Sequence, residues 1–249
     1  MKAYAVLFGI NYDNTPARLR GCVNDVMNVS KRLREYHFQD VRVFTDKDRQ
    51  TTANGLLQEM NNLAVRSWRE NLDLAWIHFS GHGCSVRDVS GDEKDGLDEC
   101  IVPRDYNRVG VIPDDYIRNI LRNFNPKTRV VCVFDCCHSG TVGDLKYRYI
   151  NANRTAVEHG QAPCRSPILL ISGCRDNQTS ADAFNVNNAH QFSGAMTSCL
   201  LQCLENKDPN TLRVHDLLND LRVKLRENRF TQVPQLCSSF IVNQDTTLF

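Results

Sequence analysis

Apolar positions along this chain follow two rhythms that alternate. Runs that are apolar at nearly every position occur at 3–10, 41–45, 74–79, 130–134 and 168–172. Such runs, rich in β-branched residues, predict strands buried on both faces, as in a parallel sheet. Between them, apolar residues return every third or fourth position. The sets are Val26, Val29, Leu33 and Tyr36; Leu56, Leu57, Met60 and Leu63, opened by Thr51 and Thr52; and Tyr116, Ile117, Ile120 and Leu121, opened by Pro113, Asp114 and Asp115. Two more are Met196, Leu200, Leu201 and Leu204 after Ser193-Gly194, and Leu217, Leu218, Leu221 and Leu225. This spacing predicts amphipathic helices. A short strand at Cys100-Ile101-Val102-Pro103 and a terminal strand within 233–242 complete the pattern. Strands alternating with helices predict an α/β fold, a mainly parallel central sheet sandwiched between helices. The stretch 143–167 is polar, carries Lys146, Arg148, Arg154 and Arg165, and shows no period; it is expected to be a mobile surface loop.

Composition narrows the picture. The 249 residues contain no linker, compositional shift or internal repeat, so a single domain over 1–249 is expected. Its first strand begins almost at residue 1, so no pro-region is expected. Lysine and arginine total 30 against 29 acidic residues, so no global field exists to recruit nucleic acid or an anionic membrane. Neither a signal peptide nor a run of about 18 apolar residues is present, so no membrane span is expected. Eleven cysteines, an odd number, lie without disulfide-type spacing and point to a reducing compartment. An intracellular, cytoplasmic protein is the expectation.

Candidate chemistry sits where two of the strands stop. The run Val130–Phe134 ends in Asp135-Cys136-Cys137-His138-Ser139-Gly140, and Leu74–Phe79 ends in Ser80-Gly81-His82-Gly83. Carboxyl ends of strands in open α/β sheets collect ligands and chemistry, and glycines flanking a histidine let the backbone bend and approach a substrate closely. Singly, a free cysteine is most often a small core hydrophobe and a histidine a satisfied polar group. At two such strand ends they make a Cys/His hydrolytic site. Zinc is not supported, because no C-x-x-C spacing occurs. Adjacent cysteines on a strand point to opposite sides, so only one of Cys136 and Cys137 can be presented. The acidic stretch Asp88, Asp92, Glu93, Asp95, Asp98 and Glu99 must be solvated or neutralised by a cation. Asn24 or Asp25 stands where a helix cap is expected.

The two boxes closely resemble the His and Cys boxes of metacaspases, the caspase-like cysteine peptidases. That resemblance runs from Leu19-Arg20-Gly21-Cys22-Val23-Asn24-Asp25 to Phe192-Ser193-Gly194-Ala195-Met196-Thr197. It implies a caspase-like fold and a cysteine endopeptidase. It makes Cys137, directly before His138, the nucleophile and His82 its proton partner, with the N–H groups of Gly83 and Cys137 facing the oxyanion. It further implies an acidic primary pocket at Cys22, Asp25, Ser80 and Asp135 that takes arginine or lysine of a protein or peptide substrate. The Gln-Ala-Cys-x-Gly box of classical caspases is absent, so aspartate specificity is not expected. Calcium activation is implied, with Asp98, Asp114, Asp115 and Asp144 as ligands, in a spacing that is not an EF-hand. The family also implies a monomer. A different class of function, a caspase-like scaffold that binds partners without hydrolysis, is disfavoured by the intact box residues.

Overall fold

The computed structural model describes residues 1–87, 97–136, 145–149, 156–158, 164–173, 182–184 and 192–249. In chain order these form β1 (Ala3–Gly9), α1 (Cys22–Glu35), β2 (Asp40–Thr45), a 3-10 turn (Arg49–Thr51) and α2 (Ala53–Arg69). There follow β3 (Leu74–Ser80), β4 (Gly83–Arg87), β5 (Leu97–Ile101), α3 (Tyr106–Val109), β6 (Ile112–Pro113), α4 (Asp114–Leu121) and β7 (Arg129–Asp135). The remainder comprises β8 (Tyr147–Tyr149), β9 (Ala156–Glu158), β10 (Ile168–Ser172), β11 (Asp182–Phe184), β12 (Phe192–Gly194), α5 (Ala195–Leu204), α6 (Val214–Glu227) and β13 (Gln235–Ser238).

Eight strands form the central sheet in the order β2-β1-β3-β7-β10-β13-β8-β9. The first five run parallel, whereas β13 is antiparallel to β10 and to β8. Every residue of β1, β3 and β10 is buried, as expected for strands covered on both faces. Alternation along β1 divides the interior. Ala3, Ala5 and Leu7 point into a core shared with α1, α5 and α6, while Tyr4, Val6 and Phe8 point into one shared with α2 and α4. The helices pack by the apolar spacing legible in the sequence: Val26, Val29 and Leu33 on α1, and Leu217, Leu218, Leu221 and Leu225 on α6, are buried. Thr52 caps α2 by accepting from the Gly55 N–H at 3.2 Å.

Two expectations need correction. Described parts of 143–167 are not a loose surface loop, because β8 and β9 add to the central sheet and Leu145 and Tyr149 are buried. Three-residue strands are too short to display a period, and Tyr149 is held from afar by the Val242 N–H, which donates to its hydroxyl at 2.7 Å. The helix expected to be capped by Asn24 or Asp25 instead starts at Cys22 after Gly21, which places Asp25 inside its first turn.

Candidate active site

Strand register builds the site. Gly9 pairs with Ser80, and Ser80 pairs with Asp135, so β1, β3 and β7 end level with one another. Across that edge the Ile10 N–H donates to the Ser80 carbonyl and the Gly81 N–H to the Asp135 carbonyl. The chain turns out of the sheet at Gly81, where a Cβ would lie 2.8 Å from both the Tyr12 hydroxyl oxygen and a Phe79 ring carbon. The glycine before His82 thus serves internal packing, letting Tyr12 close on the turn.

His82 is held on three sides. Its N–H donates to the Tyr12 hydroxyl at 2.9 Å, its carbonyl accepts from the Val102 N–H at 3.0 Å, and its ring lies 4.8 Å from that of Tyr12. Tyr12 in turn donates its O–H to the Val102 carbonyl at 2.7 Å, and burial raises its pKa well above the ordinary tyrosine value. It therefore stays a neutral donor. The His82 Nε2 is 2.7 Å from the Ala17 carbonyl oxygen. A carbonyl can only accept, so Nε2 carries a proton and the neutral ring keeps its lone pair on Nδ1. No side chain in the sequence stands out as a third partner for the histidine; the Ala17 backbone carbonyl fills that place.

Cys136, the last described residue of the Cys box, is fully buried among the side chains between the sheet and α2 and α4. Cys137 and 138–140 lie outside the described residues, as does Asp144 and the acidic stretch 88–96. Gly83 opens β4 opposite Ile101.

Three of the expected pocket residues, Asp25, Ser80 and Asp135, meet near Gly194. Asp25 and Ser80 are buried, and the Ser80 hydroxyl donates to Asp25 Oδ2 at 2.6 Å. The Gly194 N–H donates to both Asp25 oxygens at 2.9 and 3.0 Å. Asp135 Oδ2 accepts from the Thr197 N–H and the Thr197 hydroxyl, each at 2.8 Å. A Cβ built on Gly194 would fall 2.5 Å from Asp135 Oδ2 and 2.7 Å from Asp25 Oδ2. Only glycine fits between two carboxylates that flank a single point. Cys22, the first residue of α1, is buried as well. Both aspartates also support the fold, since α5 begins at Ala195 without a side-chain cap of its own and they accept from its Gly194 and Thr197 N–H groups. The positive end of the helix dipole suits their charge.

Behind Asp135 lies His78, a residue that nothing in the sequence pattern singles out. It is completely buried, and its Nε2 is 3.3 Å from the Thr197 hydroxyl oxygen. Since that hydroxyl donates to Asp135, it accepts from the histidine. Burial lowers the His78 pKa from 6.5 to about 3. The folded chain therefore favours the neutral ring, and unfolding takes up a proton between those two values. Stability from this group is complete above about pH 6.5 and declines as pH falls towards 3. A His78→Gln variant is expected to lose less of its denaturant midpoint than the unmodified chain between neutral and mildly acid pH; parallel losses would show that His78 carries no such linkage.

The expected calcium ligands divide. Asp98 and Asp114 are buried, on β5 and in the first turn of α4, and Asp115 is partly exposed. Pairing of β5 with β6 brings the two segments side by side. The Cys100 thiol between them is pushed well above its usual range, first by its hydrogen bond to Cys84 and by burial, then by the charges of Asp114 and Asp98. Among the described residues, no three His, Cys, Asp or Glu side chains are grouped to hold a metal ion. Their oxygen donors are of the kind a hard cation takes, but the described carboxylates do not by themselves make a site. Among those residues, too, no helix is long and apolar enough to cross a membrane.

Comparison with known proteins agrees with this architecture. Residues 2–244 match the Caspase domain family. Metacaspase-1 of Yarrowia lipolytica is 34% identical over 294 aligned residues, covering 96% of this chain and 62% of the relative. Metacaspase-3 of Trypanosoma cruzi is 34% identical over 258, covering 96% and 71%, and Metacaspase-1B of Aspergillus terreus is 34% identical over 289, covering 94% and 74%. The chain thus spans less than two thirds of the Yarrowia protein and somewhat more of the other two. The crystal structure of protein GSU0716 from Geobacter sulfurreducens has the same fold, with a TM-score of 0.69 over the whole of both chains at 24% identity. With the family match spanning almost its full length and the strand ends arranged as described, the chain belongs to the caspase-domain family of cysteine-type endopeptidases, among the metacaspases.

Proposed function

We propose that this chain is an active cysteine endopeptidase that cleaves protein or peptide substrates after arginine or lysine, with Cys137 as nucleophile and His82 as general acid and base. The observation that carries the specificity is the convergence of two buried carboxylates, Asp25 and Asp135, on one point at the strand edge that bears His82. Two adjacent buried anions repel each other, and a guanidinium or ammonium entering between them offsets that repulsion with charge-assisted hydrogen bonds. Cys22 and Ser80 complete the pocket. In the first step the Cys137 sulfur attacks the scissile carbonyl carbon while Nδ1 of His82 takes the thiol proton. The oxyanion faces the N–H groups of Gly83 and Cys137. His82 returns its proton to the leaving amine, and water then releases the acyl group. Fluorogenic peptides ending in arginine, lysine or aspartate test this directly. Turnover of the two basic peptides alone is expected; turnover of the aspartate peptide, or of none, would sink it, the latter favouring a non-hydrolytic scaffold.

Calcium activation belongs to the same proposal. Asp98 and Asp114 are buried carboxylates on adjoining segments, and Asp115 and Asp144 would supply the further oxygens that these two need for a cation. When bound, the cation would neutralise them and tie β5 to the start of α4, without touching the scissile bond. A site assembled from separate segments should be weak, on the order of 10⁻⁴–10⁻³ M. Activity is expected to rise with calcium over that range, with magnesium a poor substitute because it demands stricter octahedral geometry. An Asp98→Ala, Asp115→Ala double variant should lose the response. Full activity in excess chelator would leave these aspartates without a metal role.

The chain is further proposed to act as a cytoplasmic monomer without nucleic-acid partners. In support, β13 is covered by β8, and beyond it β9 is only three residues long. So short an edge is a poor template for pairing with a second copy.

A further inference from the structure

Cys84 and Cys100 stand directly opposite each other on the antiparallel strands β4 and β5. Their side chains are in hydrogen-bond contact. Opposed Cα atoms of an antiparallel pair lie roughly 4.5–5.5 Å apart, within the span a disulfide bridges without moving the backbone. Of the nine free cysteines among the described residues, Cys84 is partly exposed while Cys100 is fully buried. The Cys100 S–H also has the Asp98 carbonyl oxygen 3.6 Å away as an acceptor. Neither sulfur has a part in the hydrolytic chemistry proposed above. Cys84 nevertheless lies two positions after His82, on a hairpin anchored to it where the His82 carbonyl accepts from the Val102 N–H.

We propose that Cys84 and Cys100 form a dithiol that hydrogen peroxide oxidises to a disulfide, clamping the hairpin that joins His82 to the acidic stretch. Cys84 reacts first, being the sulfur that solvent reaches. The Cys84 sulfur takes one peroxide oxygen, the O–O bond breaks, and a sulfenic acid and one water result. The Cys100 sulfur then attacks the Cys84 sulfur, the S–S bond forms, the S–O bond breaks, and the hydroxyl leaves with the thiol proton as a second water. Two thiols have lost two electrons, and one peroxide has been reduced to two waters. A dithiol reductant reverses the step. The test treats the full chain with peroxide, blocks remaining thiols with N-ethylmaleimide, and maps peptides by mass spectrometry without reduction. The expected result is a peptide pair joined through residues 84 and 100, two hydrogens lighter than its separate parts. It should disappear after dithiothreitol and in Cys84→Ser, and persist in Cys136→Ser. Recovery of Cys84 as its maleimide adduct, as a sulfinic acid, or joined to any other cysteine would overturn the proposal.

Discussion

Replacing Cys137 with alanine is expected to abolish turnover, whereas Cys136→Ala should retain most of it. The asymmetry follows from the strand. Asp135 ends β7 with its carboxylate turned to Thr197 of α5, and Cys136 points the opposite way, into the core beside α2 and α4 with no exposed surface. A thiol there is screened from substrate by the sheet itself. Cys136→Ala removes a buried sulfur, so its cost should appear in stability, on the order of 1 kcal/mol for so small a cavity. His82→Ala should lower turnover by roughly 10²–10⁴-fold, the usual worth of general acid–base help. Initial rates on an arginine peptide, with thermal melts of each variant, separate the two kinds of loss. An inactive but stably folded Cys136 variant would reverse the assignment of the nucleophile.

The second large effect concerns Asp135 and Asp25. Asparagine at either position keeps an acceptor for the α5 N–H groups, so the fold should lose only about 1 kcal/mol, as for a weakened helix cap. Cleavage should suffer far more. Removing one partner of a buried, charge-paired contact typically costs roughly 3–5 kcal/mol, which is roughly a 10²- to 10⁴-fold fall in kcat/KM for arginine and lysine substrates. Because the carboxylates contact the bound side chain and not the reacting atoms, a small hydrophobic residue at the same substrate position should lose little or nothing. Equal losses on all substrates would mean that these aspartates serve α5 alone. Gly194→Ala is a harsher probe of the same point, since its methyl would have to displace both carboxylates.

How much of this was legible in the sequence depended on whether the signal was local. Continuous apolar runs announced β1, β3, β7 and β10, since a strand buried on both faces has no polar positions to hide it. β4 was missed because its alternation, Cys84 and Val86 against Ser85 and Arg87, is barely long enough to signal a strand, and β8 and β9 because three residues carry no period. Asp25 fitted a helix cap by position alone, yet its carboxylate partners are Ser80, 55 residues on, and Gly194, 169 residues on. Gly194 and Thr197 lie within the Phe192–Thr197 segment that carried the family resemblance, so a signal for them existed, but only Gly194's place between two carboxylates explains it. The Ala17 carbonyl had no signal at all, because a backbone oxygen leaves no mark on residue identity. His78, in a strand read as apolar, owes its neutral state to burial that only the folded sheet creates.

The central claim joins one nucleophile to one specificity, and a single labelling experiment tests both. The unmodified chain is incubated in calcium with a peptidyl chloromethyl ketone ending in arginine, and in parallel with its aspartate-ended counterpart, and the modified residue is located by peptide mapping. The account predicts one adduct, on Cys137, formed by the arginine reagent alone and prevented by competing arginine peptide. An adduct on Cys136, or equal labelling by the aspartate reagent, would contradict it.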